Sequence, residues 1–346
     1  MGRSGTTLLD KLLANHSDID VLSQPLPLIF VEAKKRFLKT RGQDKYYVLN
    51  DDFVNRNYSQ EEFNTFLDDF IIDRNAVDEI LNKMESYSGQ CTKTNKSLSL
   101  DTQLYHNYIE VMSKCLTLFD TASDIQYLGI KETMCEEFIP YLLGNNYKAI
   151  VIIRDPRDVL ASANYPRKVQ YLGSKKPALF ILRTWRKSAE YIYSLKMNKD
   201  FHFLRYEDLV NHPHRELDKI TDFLKIKKFL PTSFNRGILD RNGEAWLANT
   251  SFDDGQNIIS NRSVGIYKNT LSDKEIKYTE SICSHEMEQL GYQINSTANK
   301  HEIIQDYKDT DIEDVIDIQA SYSSIESNIQ IELQRLKTIK TSLYTD

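Results

Sequence analysis

The chain has 346 residues, of which 40% are apolar, four cysteines, and a formal net charge of −6 at pH 7. This composition allows one large core, and it excludes a membrane-spanning helix because no run approaches the ~18 apolar residues that such a helix needs. Basic residues are in no excess, so the composition also disfavours nucleic acid and other polyanions as partners.

The cysteines show no paired, metal-type spacing, and we expect reduced thiols and no metal site; they are Cys91, Cys115, Cys135 and Cys283. The first residues lack the basic-then-apolar pattern of a secretory signal. We therefore expect a cytoplasmic protein without a membrane partner.

The first predicted element is a glycine turn that leads into a helix. Residues 1–7 are Met-Gly-Arg-Ser-Gly-Thr-Thr, and residues 8–15 have a helical pattern. Glycines let successive N–H groups point into one concavity, and the start of a helix adds its positive end, so such a turn binds phosphate or sulfate. It is not a Walker A loop, which has four residues between its glycines and then Lys. The alternative is a flexible terminus in which Ser or Thr caps the helix.

The next segments connect this turn to a second strand. Residues 16–27 form a connection, and residues 36–120 are rich in tyrosine, asparagine and charge, with helical patterns at 63–70 and 104–119. We expect residues 36–120 to cap the site and to shape its pocket. Residues 125–130 have the pattern of a parallel strand, which ends at Lys131.

A strand-to-helix junction follows. Residues 149–153 are a β-branched apolar run, typical of a buried parallel strand. Arg154 follows this strand, Asp155 suits an N-cap, and Asp158 suits the reciprocal acidic position in the first turn. Ser162 lies about two helical turns further on, and ligands of open α/β sheets bind at this edge. The alternative is an ordinary capped helix whose arginines are solvated.

The last elements end in an acidic tail. Helical patterns occupy 177–196 and 217–224, a strand is predicted at 201–205, and 229–262 is mostly loop. Residues 295–346 hold five basic and ten acidic residues. Apolar residues at steps of three and four predict an amphipathic helix there, through Ile325, Ile329, Leu333, Leu336, Ile339 and Leu343. This helix either packs on its own domain or forms a homodimer contact, and the sequence leaves both open.

Four ordered segments resemble the sulfotransferase superfamily whose donor is 3′-phosphoadenosine 5′-phosphosulfate (PAPS). They are Gly-Arg-Ser-Gly-Thr-Thr at 2–7, Ile-Ile-Arg-Asp-Pro-Arg-Asp-Val-Leu-Ala-Ser at 152–162, Phe-Leu-Arg-Tyr-Glu-Asp-Leu-Val at 203–210, and Ser-Val-Gly-Ile-Tyr-Lys at 263–268. Residues 271–292 resemble the closing helix of the superfamily. The chain is similar to soluble, bacterial-type members.

The resemblance implies an α/β fold, a three-layer sandwich with a central parallel sheet flanked by helices. It implies a sulfotransferase domain at 1–294, which contains the helical insertion 36–120, and an acidic helical extension at 295–346. Members of the superfamily have a core strand immediately before the glycine turn. We therefore expect either that Met1 lies within a longer native chain or that the sheet has lost this strand.

The resemblance also implies two phosphate sites for one nucleotide. The 5′-phosphosulfate would be held by the turn and the start of its helix, through Arg3, Ser4, Gly5, Thr6 and Thr7. Arg154 and Ser162 would hold the 3′-phosphate, and Arg262 would add a weaker contact because Asn-Arg-Ser stands where many relatives have Arg-Lys-Gly. Tyr206 matches a tyrosine that lies against the adenine; its alternative role is that of a core tyrosine.

The catalytic residues are matched less well. Lys131 stands where the family has a lysine that points at the transferring group, and Arg3 would neutralise the leaving oxygen. The general bases of two branches of the family are replaced here by Thr133 and Gln24. The remaining candidates for the base are Glu132, which we favour, Glu32 and His106.

We therefore expect a PAPS-dependent sulfotransferase of secondary metabolism. It would move the sulfuryl group by in-line displacement to a hydroxyl or an amine or guanidine nitrogen of a small neutral or cationic acceptor, with 3′-phosphoadenosine 5′-phosphate (PAP) as product and no metal. One alternative is a non-catalytic relative that binds PAP or PAPS, since both expected bases are replaced. A P-loop kinase is a second alternative, which the absence of the Walker lysine disfavours.

Overall fold

The computed structural model describes residues 2–42, 58–85, 91–165, 175–230, 233–234, 237–240, 243–246, 258–309 and 326–342. Helices and parallel strands alternate along the chain, so the expected α/β class is confirmed. The helices are α1 (Thr6–Ala14), α2 (Pro27–Thr40), α3 (Gln60–Asp68), α4 (Arg74–Glu85), α5 (Tyr108–Leu116), α6 (Ile139–Gly144), α7 (Pro156–Asn164), α8 (Ala178–Leu195), α9 (Tyr206–Asn211), α10 (Pro213–Leu224), α11 (Asp273–Gln289), α12 (Lys300–Asp306) and α13 (Glu326–Ser342).

The strands are β1 (Ile19–Ser23), β2 (Ile72–Asp73), β3 (Leu104–Tyr105), β4 (Tyr127–Lys131), β5 (Ala149–Ile153) and β6 (Phe201–Arg205). β1 pairs in parallel with β4, so that Ser23 lies opposite Lys131. β5 pairs in parallel with β6, so that Ile153 lies opposite Arg205. β2 and β3 form a short antiparallel pair within the insertion. The sequence patterns predicted β4, β5 and β6 but not β1.

The parallel strands form two separate pairs in the described part of the chain. No described strand lies between β4 and β5, and a cavity of about 510 Å³ occupies the space between them. All five residues of β4 and residues 149–152 of β5 line this cavity. At the polar end of the cavity, Thr6 and Asp10 of α1 lie beside Lys131 and Glu132.

Both helices that follow the predicted phosphate-binding segments begin as their sequences indicate. α1 starts directly after Gly5, and α7 starts at Pro156 after an N-cap at Asp155, whose side chain accepts a hydrogen bond from the N–H of Arg157. The reciprocal capping role expected for Asp158 is wrong. The carboxylate of Asp158 instead accepts hydrogen bonds from the N–H groups of Gly265 and Tyr267, because the loop 263–268 folds over the start of α7.

Aromatic residues of the insertion form a core with residues that flank the insertion in the sequence. The ring of Phe63 lies edge-on to Phe37 and Phe138, with centroids 4.9 Å and 5.0 Å apart. The expected helix at 63–70 is α3, whereas the expected helix at 104–119 is the shorter α5 preceded by β3. The insertion is tied to the rest of the chain by Gln60 of α3. Its side chain donates to the carbonyl oxygen of Glu137 at 2.9 Å and accepts a hydrogen bond of 2.9 Å from the hydroxyl of Tyr191 in α8.

The tail helix α13 packs against its own chain. Ile329, Leu333 and Leu336 are buried in the core that α8 and α11 share. Glu332 lies between the guanidinium groups of Arg183 and Arg186, at 2.7 Å and 2.5 Å. The apolar face predicted from the sequence is therefore covered within the chain, while two of its predicted members, residues 325 and 343, lie outside the described residues. The homodimer stays a prediction.

Candidate active site

The glycine turn presents uncharged and charged donors at the start of α1. Gly5 is the N-cap with φ 87° and makes no side-chain cap, and Arg3 has φ 64°. Ser4 is fully buried, and its hydroxyl has no hydrogen-bond partner within the described residues. A buried hydroxyl and the free N–H groups of a first helical turn both need an acceptor, and an anion satisfies them together.

Gly5 is required by its surroundings as well as by its backbone. A Cβ added to Gly5 would lie 2.4 Å from Cδ2 of Tyr206. The ring of Tyr206 therefore packs directly on the turn, and it also lies 4.8 Å from the guanidinium carbon of Arg154. Tyr206 is buried at the start of α9, between the two predicted phosphate-binding segments.

Arg3 and Arg154 join the glycine turn to the strand-to-helix junction. Nε of Arg3 donates a hydrogen bond of 3.1 Å to Oγ of Ser162. Nη1 of Arg154 contacts the carbonyl oxygen of Arg3 at 3.4 Å. Two segments that lie about 150 residues apart in the sequence thus form one cationic site. Burial, together with the charge of Arg154, lowers the pKa of Arg3 to about 10.

The backbone around Arg154 is held on several sides. The indole N–H of Trp185 in α8 donates to the carbonyl oxygen of Arg154 at 2.7 Å. The guanidinium of Arg154 donates to the carbonyl oxygen of Ser263. Asp158 lies 3.7 Å from the same guanidinium. Nε of Arg154 is buried and, among the described residues, has no hydrogen-bond partner, so it keeps one donor for a ligand.

Lys131 lies at the polar end of the cavity. Its Nζ donates to Oε1 of Gln24 at 3.3 Å and lies 4.0 Å from Oδ2 of Asp10. The same Asp10 oxygen accepts a hydrogen bond of 2.6 Å from Oγ of Ser23. Gln24 has φ 45°, and this left-handed backbone directs the chain from β1 toward Lys131.

Glu132 is the candidate base that the structure brings to the cavity. Its Oε1 accepts a hydrogen bond of 2.9 Å from the N–H of Leu26. Burial raises the pKa of Glu132 to about 8, against the opposing effects of that N–H and of the Lys131 charge. Glu32 pairs instead with Arg36 at 2.8 Å, and His106 is exposed; neither lines the cavity.

The remaining predicted residues lie around these groups. Thr6 lines the cavity and Thr7 follows it in the first turn of α1, while Arg262 is exposed beside Ser263. Sequence reasoning missed Asp10 and Ser23. Asp10 follows Thr6 by four residues and so shares its helical face, which is a readable signal. Ser23 was missed because β1 was missed.

A metal site and a membrane-spanning helix are both absent from the described ranges. No group of three or more histidine, cysteine, aspartate or glutamate side chains is placed to hold a metal ion there. In the same residues, no helix combines the length and the apolar character that crossing a bilayer requires.

Fold and site together define an α/β protein with a cationic site where a glycine turn meets a strand-to-helix junction. The model of the sulfotransferase family matches residues 1–229, about two thirds of the chain. The chain therefore belongs to the sulfotransferase family.

Known proteins are similar at low identity. Carbohydrate sulfotransferase 1 of Danio rerio is 23% identical over 187 residues, which cover 44% of this chain and 40% of that protein. This chain thus spans less than half the length of that relative. The sulfotransferase domain of the curacin biosynthetic pathway is 20% identical, with 85% of this chain and 96% of that chain covered and a TM-score of 0.41. The corresponding domain of the olefin synthase of Synechococcus PCC 7002 is 16% identical, with 85% and 92% covered and a TM-score of 0.42.

Proposed function

We propose that the protein is a PAPS-dependent sulfotransferase that acts on a small neutral or cationic acceptor in the cytoplasm. The observation that carries the proposal is the junction of Arg3, Ser162 and Arg154. The contacts of Arg3 with Ser162 and of Arg154 with the Arg3 carbonyl connect the two anion sites that a nucleotide with phosphates at both ends needs.

The two anion sites differ in the donors they offer. The turn supplies backbone N–H groups, the free hydroxyl of Ser4 and the Arg3 guanidinium, which suit a phosphosulfate. The junction supplies Arg154 and Ser162, which suit a separate phosphate. A donor without a phosphate at the junction would leave the Nε of Arg154 buried without an acceptor, and this favours a donor with a 3′-phosphate.

Sulfuryl transfer by direct displacement requires no covalent bond between the protein and the moving group. The acceptor oxygen or nitrogen forms its bond to sulfur as the bond from sulfur to the phosphate oxygen breaks, and the electron pair of that bond stays with the leaving PAP. Lys131 and Arg3 stabilise the charge that moves onto the leaving oxygen, and the ionised form of Glu132 accepts the proton that the acceptor loses.

A second candidate function follows from Gln24. This residue replaces a glutamate that serves as base in one branch of the family, and its amide oxygen accepts a hydrogen bond from Lys131 at 3.3 Å. A protein that binds PAP or PAPS without turnover would fit this arrangement. The two candidates differ only in whether Glu132 serves as a base.

One experiment separates the candidates. The protein is incubated with PAPS and a panel of small alcohols, phenols, amines and guanidines, and the products are examined by mass spectrometry for a gain of one SO₃. The Lys131→Ala variant should lower kcat with little effect on the affinity for PAP. Tight PAP binding without any sulfated product would favour the non-catalytic alternative, and a protein that binds neither PAP nor PAPS would overturn both.

A further inference from the structure

Asp10 is a buried carboxylate next to Lys131, and the proposed reaction gives Asp10 no role. Its side chain is 3% exposed, and it faces the cavity from the second turn of α1. Ser23 donates to its Oδ2 at 2.6 Å, and the N–H of Ser23 itself donates to Oγ1 of Thr92 at 2.9 Å. The carboxylate is therefore fixed in orientation by a chain of hydrogen bonds from β1.

Lys131 faces charged and titratable groups from every element packed around it. α1 contributes Asp10 and Lys11, the residue after β4 contributes Glu132, and Cys91 lies near in the insertion. Gln24 adds a neutral acceptor. Asp10 and Glu132 are the two carboxylates in this set, and Asp10 is the one that lies within ion-pair distance, at 4.0 Å.

We propose that Asp10 is a positioning residue for Lys131, because its carboxylate, oriented by Ser23, keeps the ammonium group charged and directed at the polar end of the cavity. The ion pair follows from the geometry alone, whereas its role in catalysis rests on the proposed function. Asp10 acts through Lys131 and contacts no reacting atom.

The sign of the expected effect follows from the surroundings of Lys131. Burial lowers the pKa of Lys131, and the negative charges of Asp10 and Glu132 oppose that change. An opposite charge at this distance moves a pKa by about one to three units. Removing the charge of Asp10 therefore lowers the pKa of Lys131 further, and the ammonium group is lost at lower pH.

The test is the pH dependence of Lys131 labelling by an amine-reactive reagent, followed by mass spectrometry, in the wild type and in Asp10→Asn. This readout does not depend on activity. Asp20→Asn is the matched control. Asp20 lies on β1 and is buried like Asp10, but its carboxylate accepts a hydrogen bond from the N–H of Ala122. Ser23→Ala, which frees the carboxylate without removing it, is a second variant in case Asp10→Asn does not fold.

We expect the labelling midpoint of Lys131 to fall by at least about one unit in Asp10→Asn, by less in Ser23→Ala, and not at all in Asp20→Asn. In an active enzyme, the alkaline limb of kcat/KM should move by the same amount, with PAP affinity unchanged. An unchanged Lys131 midpoint in the two site variants would overturn the inference whether or not the protein is active. Failure of the proposed function would appear separately, as absence of PAP binding and turnover in the wild type.

Discussion

The indole N–H of Trp185 donates a buried hydrogen bond of 2.7 Å to the carbonyl oxygen of Arg154. This contact joins α8 to the strand-to-helix junction, and α8 in turn contacts the tail helix through Arg183 and Arg186. The predicted 3′-phosphate site therefore depends on a helix whose other face is covered by residues beyond the segment matched by the family model.

Replacing Trp185 by phenylalanine should weaken PAP binding. The change leaves the carbonyl of Arg154 buried without its donor, which costs about 1–3 kcal/mol. We expect a lower free energy of unfolding by that amount and a several-fold higher Kd for PAP, measured by denaturant titration and calorimetry. Trp246→Phe is the control, since Trp246 is only half-buried and lies in a different core cluster. Equal Kd values for PAP in the two variants would show that Trp185 does not support the PAP-binding site.

Glu332→Gln should be strongly destabilising. Although burial opposes ionisation, the charges of Arg186 and Arg183 lower the pKa of Glu332 to about 2. Loss of its charge removes the carboxylate that both buried guanidinium groups contact, and we expect a loss of about 3–5 kcal/mol in the free energy of unfolding. Glu326→Gln, at an exposed position of the same helix, is the control. Denaturant titrations that superimpose for both variants would show that α13 contributes little.

Gly5→Ala should disrupt the turn, whereas Gly2→Ala should not. Gly5 has φ 87°, and an added methyl would meet the ring of Tyr206 at 2.4 Å, while nothing lies within 4 Å of a methyl on Gly2. Because strain and overlap act together, we expect Gly5→Ala to cost at least about 2 kcal/mol in unfolding free energy and most of the PAP affinity. A Gly5→Ala protein with parental stability and PAP affinity would contradict this packing of Tyr206.

The pKa of Glu132 makes both activity and stability depend on pH. Since its pKa in the folded protein is about 8, kcat/KM should rise with pH through that value as the base ionises. The unfolded chain releases this proton at lower pH, near the ordinary carboxyl pKa of 4.5. The folded state therefore binds more protons between pH 4.5 and about 8, and stability falls as pH rises across this interval.

Glu132→Gln should remove both effects. The variant should lose most of its kcat, and its melting temperature should depend less on pH than that of the wild type. Glu32→Gln is the control, since Glu32 lies outside the cavity in an ion pair with Arg36. A rate that stays flat across neutral and alkaline pH in the wild type would exclude Glu132 as the base.

The sequence predicted the elements whose signals are local. The apolar run of β5 and the Asp155-Pro156 cap of α7 were sufficient, because the apolar character of a strand and capping chemistry act within a few residues. β1 was missed because its five residues include Asp20 and Ser23, which interrupt the apolar pattern yet are buried by partners elsewhere in the chain. Asp158 was misassigned for a related reason, since its acceptors are satisfied from a loop about 107 residues away.

The site was predictable only as far as its motifs were. Arg3, Arg154, Ser162 and Tyr206 lie together as the ordered segments implied. The contact of Lys131 with Asp10 was not predictable, although Asp10 shares a helical face with Thr6, because it depends on how α1 packs beside β4, which no local pattern encodes.

Under the proposed function, one site holds both ends of a nucleotide that carries a 3′-phosphate. Calorimetric titration with PAP and with adenosine 5′-phosphate, which lacks that group, tests it in the wild type and in Arg154→Ala. We expect the wild type to bind PAP more tightly by about 2–4 kcal/mol, and Arg154→Ala to lose this difference while its affinity for adenosine 5′-phosphate stays the same. Equal affinity of the wild type for the two nucleotides would show that Arg154 and Ser162 do not hold a 3′-phosphate.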